Sequence, residues 1–334
     1  KKVGRRLCGQ PFCFTSQAQP SISCWISFCP AFQSPRPLWL PIWPALPASS
    51  SGTPQRAAIA WALALMACGR IDAVAAAVSL FGLAALARER IGLAVALFTF
   101  GAWIKIWPFA IALSVYVSEK RKQLAAISTL GVIAAATIFA VAAGANSSLF
   151  SFIFKQSSRG IQIESPIAMI WIWAAKLGLP DTGIYYDKEI ITNQVYGPLV
   201  DVFSSLMTPI MFAALGITVW LGVRAIWAGA ERNQVFAVMS LTAVLDLIVF
   251  NKVGSPQFMA WLAIPMIALI IFKVPRLKIP AITLLTIAAT TNLIYPIFYI
   301  DLMGLGDLSV GLLTARNAML IGILVYSNLR LSAL

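Results

Sequence analysis

Three cations in this 334-residue sequence lie outside its basic clusters and close to aromatic, amide or hydroxyl side chains. Lys105 lies in WIKIWP, Arg159 in SRGIQIES and Lys252 in NKVGSPQF. Lysine and arginine donate charge-assisted hydrogen bonds to phosphate and other anions, and amide donors can complete such a site. We therefore predict that these three side chains together bind an anion.

Polar residues near these cations extend the candidate site. The predicted substrate-binding residues, in chain order, are Arg70, Lys105, Arg159, Gln162, Asn251, Lys252, Ser255 and Gln257. Asp72 and Glu164 are the candidate catalytic residues, because a carboxylate can remove the proton of an attacking hydroxyl. The sequence has no histidine, which excludes histidine as a base or metal ligand. The acids show no metal-ligand spacing, so we expect neither a metal nor a cofactor.

Five of these residues also have a structural interpretation. Lys105 could extend to the lipid headgroups beside its tryptophans, and Asp72 could complement a helix dipole. Arg159 and Glu164 could form a surface ion pair of little energy, and Lys252 could belong to an ordinary polar turn. Both interpretations stay open at the level of sequence.

The composition is that of a membrane protein. Hydrophobic residues make up 60% of the chain, charged residues make up 11%, and the mean hydropathy is +0.84. A hydrocarbon core about 30 Å thick requires roughly 20 apolar residues per helix. The net charge of +13 does not indicate a nucleic-acid partner, because the basic residues lie mostly in short loops beside apolar runs.

The apolar runs predict an all-α polytopic integral membrane protein with nine to eleven helices, several of which are too short to span alone. These runs lie at about 57–69, 73–87, 91–104, 107–118, 123–143, 166–179, 199–222, 234–250, 258–272, 280–299 and 308–327. We interpret 91–118 as a hairpin of two short helices, with WIKIWP at its tip.

The positive-inside rule assigns the loops to two sides. The basic segments predicted to be cytoplasmic are 88–90, 119–122, 224–233, 273–278 and the C-terminal Arg330. The segments predicted to be external are 144–198, 251–257 and 300–307. Lys105, Arg159 and Lys252 then share the external side, where cations are uncommon, which favours a functional role for them.

The first 55 residues differ from the rest of the chain. They hold four of the five cysteines and nine of the nineteen prolines, and no acid appears until Asp72. Such a segment is too interrupted by proline to form a spanning helix. We interpret 1–55 as a disordered or non-native segment, from a fragment or a mistranslated 5′ end, and 56–334 as a helical membrane domain with an external loop at 144–198. A cysteine framework or cysteine-rich metal site is the alternative for 1–55.

The block at 69–122 resembles the conserved block of a glycosyltransferase family. It reads GRIDAVAAAVSLFGLAALARERIGLAVALFTFGAWIKIWPFAIALSVYVSEKRK. This order of a G-R-x-D motif, a helix, a basic turn, a helix, K-x-x-P, a helix and a basic cluster is similar to GT-C type, polyprenol-phosphate-dependent glycosyltransferases of family 87. SRGIQIESP and NKVGSPQFMAWL resemble external-loop motifs of actinobacterial members. The resemblance extends from about residue 60 to the C-terminus.

The resemblance implies that a hexose, commonly mannose, moves with inversion from a polyprenyl-phosphate carrier to a glycolipid or cell-envelope glycan acceptor. Lys105, Arg159 and Lys252 would then bind the carrier phosphate, and Gln162, Asn251 and Gln257 would bind sugar or phosphate. The acid that such enzymes carry on their first external loop, before a YPP-like stretch, has no counterpart here. We expect that it was lost with the N-terminal segment, which would leave the chain inactive unless Asp72 or Glu164 replaces it.

A transporter or a lipid-carrier flippase is the alternative class. Such proteins are also helical, basic and equipped with intramembrane cations, but many carry internal repeats with paired broken helices. The two halves of this chain show no convincing repeat, and its polar residues gather on one side. We therefore expect a multi-pass plasma-membrane enzyme, in contact with membrane lipids, with an external active site and a cytoplasmic C-terminus.

Overall fold

The computed structural model describes residues 71–145 and 159–334. Arg70, the 1–55 segment with its four cysteines, and the predicted helix at 57–69 therefore lie outside the described residues. Within the described ranges the chain is helical apart from a single β-hairpin, and several helices are long and apolar enough to cross a membrane. The protein is an all-α polytopic membrane protein, as its composition predicts.

The described helices follow the apolar runs of the sequence closely. In chain order they are α1 Ile71–Ala87, α2 Ile91–Ile104, α3 Pro108–Ser118, α4 Lys122–Ala142, α5 Met169–Lys176, α6 Val200–Trp227, α7 Arg232–Val249, α8 Ala263–Ile271, α9 Lys278–Asn292, α10 Tyr299–Met303 and α11 Asp307–Ser332. Two 3₁₀ turns, Pro166–Ala168 and Pro256–Leu262, precede α5 and α8, and the π-helical turn Leu293–Ile297 follows α9. Five segments have membrane-spanning length and hydropathy, namely α4, α6, α7, the run Lys278–Ile297 and α11.

The predicted break within 91–118 is confirmed. α2 ends where Lys105 adopts an extended conformation, with φ −149° and ψ 138°. Pro108 then begins α3, a position where its missing N–H costs nothing. Gly92, at the other end of α2, lies beside Ser128 of α4. The basic turn at 88–90 therefore lies at the same end of the bundle as the start of α4, as the hairpin interpretation requires.

α7 is the central helix of the described bundle. Buried positions make up 83% of its hydrophobic window, against 6% for α4, whose apolar surface is left for lipid. Asp246 of α7 is 1% exposed, and the Thr218 hydroxyl of α6 donates a hydrogen bond to its Oδ2 at 2.6 Å. The most buried of the spanning helices thus carries an acid with a polar partner, as is usual for a carboxyl inside a membrane bundle.

Loops that the charge rule assigns to one side do meet in space. Arg232 donates to the main-chain oxygen of Ser118 at 2.6 Å, and Arg330 donates to that of Pro275 at 2.7 Å. Among the segments predicted to be external, the backbone N–H of Gln162 donates to the Lys252 oxygen at 2.9 Å. The bundle therefore has one end that gathers basic loops and another that gathers the candidate site.

The segment 144–198, predicted to be a loop, is more ordered where the structure describes it. It contains α5 and an antiparallel hairpin of β1 (Gly183–Asp187) and β2 (Thr192–Tyr196), with Tyr185 opposite Gln194. Residues 183–196 thus form paired strands where a loop was expected, with Ile184 opposite the buried Val195.

Candidate anion and carboxylate site

Main-chain hydrogen bonds place the two motif segments side by side. The N–H of Val195 in β2 donates to the Ile161 oxygen at 3.0 Å. On the other side of this short strand, the N–H of Gln162 donates to the Lys252 oxygen at 2.9 Å. The segments 159–165 and 251–257, called the loop pair below, thus extend the edge of the hairpin.

A glycine allows the loop pair to pack backbone against backbone. A Cβ added to Gly254 would lie 2.5 Å from the Cα of Ser165, and closer still to the Ser165 nitrogen and the Glu164 carbonyl carbon. Real Cβ atoms essentially never approach other atoms within 3.0 Å. Glycine at this position therefore brings the main chain of Glu164 against the loop that carries Lys252.

Two cations of the predicted anion site lie close together in the loop pair. Lys252 is only 5% exposed, and its Nζ donates to the Ser204 hydroxyl at 3.3 Å. That hydroxyl donates to the main-chain oxygen of Arg159 at 3.0 Å. Burial and then the charge of Arg159 lower the pKa of the Lys252 ammonium. A bound anion between these side chains would offset their repulsion.

Glu164 is a buried carboxyl in the same loop pair. It is 8% exposed, and its Oε1 accepts a hydrogen bond from the Tyr299 hydroxyl at 3.2 Å. The amide of Asn193 in β2 donates to that hydroxyl at 3.0 Å. Burial raises the pKa of Glu164, opposed by a backbone hydrogen bond, the charge of Arg316 and the Tyr299 hydrogen bond. Burial and then the Glu164 charge raise the pKa of Tyr299, so the phenol stays a donor.

A small pocket opens beside the Glu164 side chain. Its lining combines this acid with one arginine, two tyrosines and apolar residues, namely Glu164, Pro256, Thr291, Ile294, Tyr295, Tyr299, Leu313 and Arg316. The enclosed space is about the size of one water molecule. A sugar would therefore reach the carboxyl only after side chains at the mouth have moved.

Lys105, the third predicted cation, belongs to a second cluster. Its Nζ lies 3.7 Å from Oδ2 of Asp72, which is 1% exposed. The indole N–H of Trp261 donates to Oδ1 of the same carboxylate at 2.7 Å. Trp261 stacks on Trp107 and Phe258 with centroid distances of 5.9 and 3.9 Å. The cluster thus joins the break between α2 and α3 to the Pro256–Leu262 turn.

The remaining predicted binding residues differ in burial and in their contacts. The side chain of Asn251 accepts the backbone N–H of Val253 at 2.9 Å, which shapes the turn. Ser255 precedes the 3₁₀ turn and Gln257 lies in its first part, both half-buried. Gln162 is 5% exposed and bridges to Gln194 of β2. Its backbone N–H also donates to the main-chain oxygen of Lys252.

Sequence reasoning missed three residues of this site. Arg316 lies within an apolar run of α11 and could have been noticed, because an arginine in a membrane span is uncommon. Tyr299 and Ser204 carry no such signal, since their roles depend on helices that are distant in sequence.

The described residues contain no group of three His, Cys, Asp or Glu side chains placed to hold a metal ion. The side chains of the site offer cations for an anion, amides for hydrogen bonds and a carboxyl for proton transfer. Comparison with known proteins identifies no relative, since no family model, curated protein or solved structure matches this chain.

Proposed function

We propose that this protein is a membrane glycosyltransferase of the GT-C type, similar to family 87, that transfers a hexose, most simply mannose, from a polyprenyl-phosphate carrier. The acceptor is a lipid-linked or cell-envelope glycan, and the anomeric carbon is inverted. The observation that carries this proposal is the proximity of Arg159 and Lys252 in the loop pair that also carries the buried carboxyl of Glu164.

The two cations suit the leaving group of such a reaction. As the glycosidic bond breaks, the bonding electrons pass to the carrier phosphate, whose charge rises. Arg159 and Lys252 would stabilise that charge, since both are cations in the loop pair and the charge of Arg159 acts on the Lys252 ammonium. The surrounding helices are apolar, which fits a donor whose polyprenyl chain stays in the bilayer.

Glu164 is the better candidate of the two acids for the base. Its raised pKa makes the carboxylate a stronger proton acceptor than an ordinary glutamate. In the proposed reaction it takes the proton of the acceptor hydroxyl while the hydroxyl oxygen forms the new bond to the anomeric carbon. Asp72 would serve instead to hold Lys105 and Trp261 in place.

The positive-inside rule supplies the orientation within this proposal. The end of the bundle where Arg232 and Arg330 hold neighbouring loops is cytoplasmic, as is the C-terminus. The loop pair then lies at the external face of the plasma membrane. Donor and acceptor would both approach it from the outer leaflet.

Transfer can be measured with purified protein in liposomes, supplied with radiolabelled mannosyl polyprenyl phosphate and a glycolipid acceptor. Labelled acceptor should form, and Glu164→Gln should lower its rate by about 100-fold or more, as removal of a general base does. The matched control is Glu189→Gln, which changes an exposed acid at the hairpin turn. No labelled product from the unaltered protein would refute the proposal, and equal rates for both variants would remove Glu164 from the role of base.

A lipid-carrier flippase is the second candidate, and one observation favours it. The chain is interrupted at Lys105 and again at Tyr295, where φ is −123° and ψ is 110°, as in the discontinuous helices of transporters. A buried charge lies near each interruption, Asp72 at the first and Arg316 at the second. Movement of labelled carrier between leaflets without cleavage of its sugar would establish this alternative.

A further inference from the structure

Arg316 is the largest buried charged side chain of the described residues, and the proposed reaction assigns it no role. It lies in the middle of α11 and is 2% exposed. A cation inside a membrane helix is costly unless its donors are satisfied, so its presence calls for a specific set of partners.

Two of those partners are main-chain oxygens, one from each half of the loop pair. Nη1 donates to the main-chain oxygen of Glu164 at 2.7 Å and to Oδ1 of Asn317 at 2.6 Å. Nη2 donates to the main-chain oxygen of Gly254 and Nε to the Thr291 hydroxyl, both at 3.4 Å. The guanidinium group therefore spans the contact at which the two segments pack.

We propose that Arg316 is the positioning residue of this site, which joins the segments 159–165 and 251–257 through the main-chain oxygens of Glu164 and Gly254. The planar fork of guanidinium donors reaches both oxygens and Thr291 at once. A lysine would present a single ammonium, which could replace one of these bonds but not the full set.

The charge of Arg316 has a second effect, on the Glu164 carboxyl. It opposes the rise in pKa that burial causes at Glu164. The other groups that face this carboxyl are the hydroxyl of Tyr299, which donates to it, and Tyr295, which lines the same pocket. Among these groups, Arg316 is the cation that favours ionised Glu164.

Hydrogen exchange in the full-length protein tests the joining role. In Arg316→Gln, amides of 159–165 and 251–257 should exchange about tenfold faster, the equivalent of one charge-assisted hydrogen bond. Arg316→Lys should show a smaller increase, and it keeps the test informative if the glutamine variant does not fold. The matched control is Arg330→Gln, which removes a bond to the Pro275 oxygen at the other end of the bundle and should leave both segments unchanged. Unchanged exchange of both segments in the Arg316 variants would overturn the proposal.

Infrared spectroscopy tests the effect of the Arg316 charge on Glu164. The band of the protonated Glu164 carboxyl is followed as pH changes, and the band that is lost in Glu164→Gln is the one that belongs to Glu164. Its titration midpoint should rise in Arg316→Gln and return towards the unaltered value in Arg316→Lys, which a purely steric role for Arg316 would not produce. An unchanged midpoint in Arg316→Gln would overturn this part.

The assignment rests on the proposed function only in treating Glu164 as the base. Exchange and infrared titration need no sugar donor, so they report on Arg316 by themselves. Absence of transfer by the unaltered protein would refute the proposed function and leave the positioning role intact.

Discussion

Gly254→Ala is expected to force the loop pair apart. The added Cβ would lie 2.5 Å from the Cα of Ser165, and nearer still to the Ser165 nitrogen and the Glu164 carbonyl carbon. All three are backbone atoms, so no change of side-chain rotamer relieves the overlap. The glycine has no positive φ, and the penalty is therefore one of space and not of backbone conformation.

The size of the destabilisation depends on the main-chain atoms that the added Cβ would displace. Overpacking of a well-packed contact costs typically 1–3 kcal/mol. Here the Glu164 and Gly254 oxygens are both held by Arg316, so the main chains cannot separate without lengthening hydrogen bonds to a charged donor. We therefore expect a loss near the top of that range, about 3 kcal/mol in the free energy of unfolding.

Thermal unfolding in detergent micelles, followed by tryptophan fluorescence, measures this loss. Gly254→Ala should lower the Tm by several degrees. The control is Gly304→Ala, whose Cβ would make an ordinary contact of 3.5 Å with the Asp301 oxygen and should leave the Tm near that of the unaltered protein. Equal Tm values for the two variants would refute the backbone contact between the segments.

Two further predictions concern the cations. Binding of polyprenyl monophosphate should weaken as pH rises through the lowered pKa of Lys252, below the ordinary lysine value of about 10.4, because only the ammonium attracts phosphate. Lys252→Arg stays charged throughout that range and should lack this step in the binding profile; identical profiles would contradict the assignment. Lys105→Met leaves the buried Asp72 carboxylate without its cation and should lower the free energy of unfolding by about 3 kcal/mol, the low end for a buried pair, because Lys105 is 31% exposed. Asp72→Asn in the same chain should recover part of this loss, since an amide oxygen still accepts the Trp261 N–H, and a double variant as unstable as the single one would count against the pair.

The helices were predictable because their ends coincide with changes of composition. The run 91–104 is bounded by RER and by Lys105, and α2 occupies those residues. The run 280–299 was read as one helix, whereas the chain leaves helical geometry at Tyr295, before Pro296. Pro296 was the sequence signal for a break in this helix, but the continuous hydropathy of the run favoured a single helix.

The sequence predicts the candidate site only in part, because it indicates no more than that loops on the same side of the membrane lie close together. That reasoning placed 159–165 near 251–257, and main-chain hydrogen bonds join them. It did not separate Lys105 into a cluster with Asp72, nor link Glu164 to Arg316 and Tyr299. Such contacts depend on how helices rotate about their axes, which the order of apolar and basic segments does not determine.

The two candidate acids show how similar surroundings can support different roles. Each is buried, and each lies near one cation and one aromatic donor. The ammonium of Lys105 faces the Asp72 carboxylate itself, so that pair is neutralised within the helix bundle. Arg316 instead donates to the main-chain oxygen of Glu164, while the carboxyl accepts the Tyr299 hydroxyl. The cation thus positions the Glu164 backbone without occupying its side chain, which leaves this carboxyl able to gain and lose a proton within the loop pair.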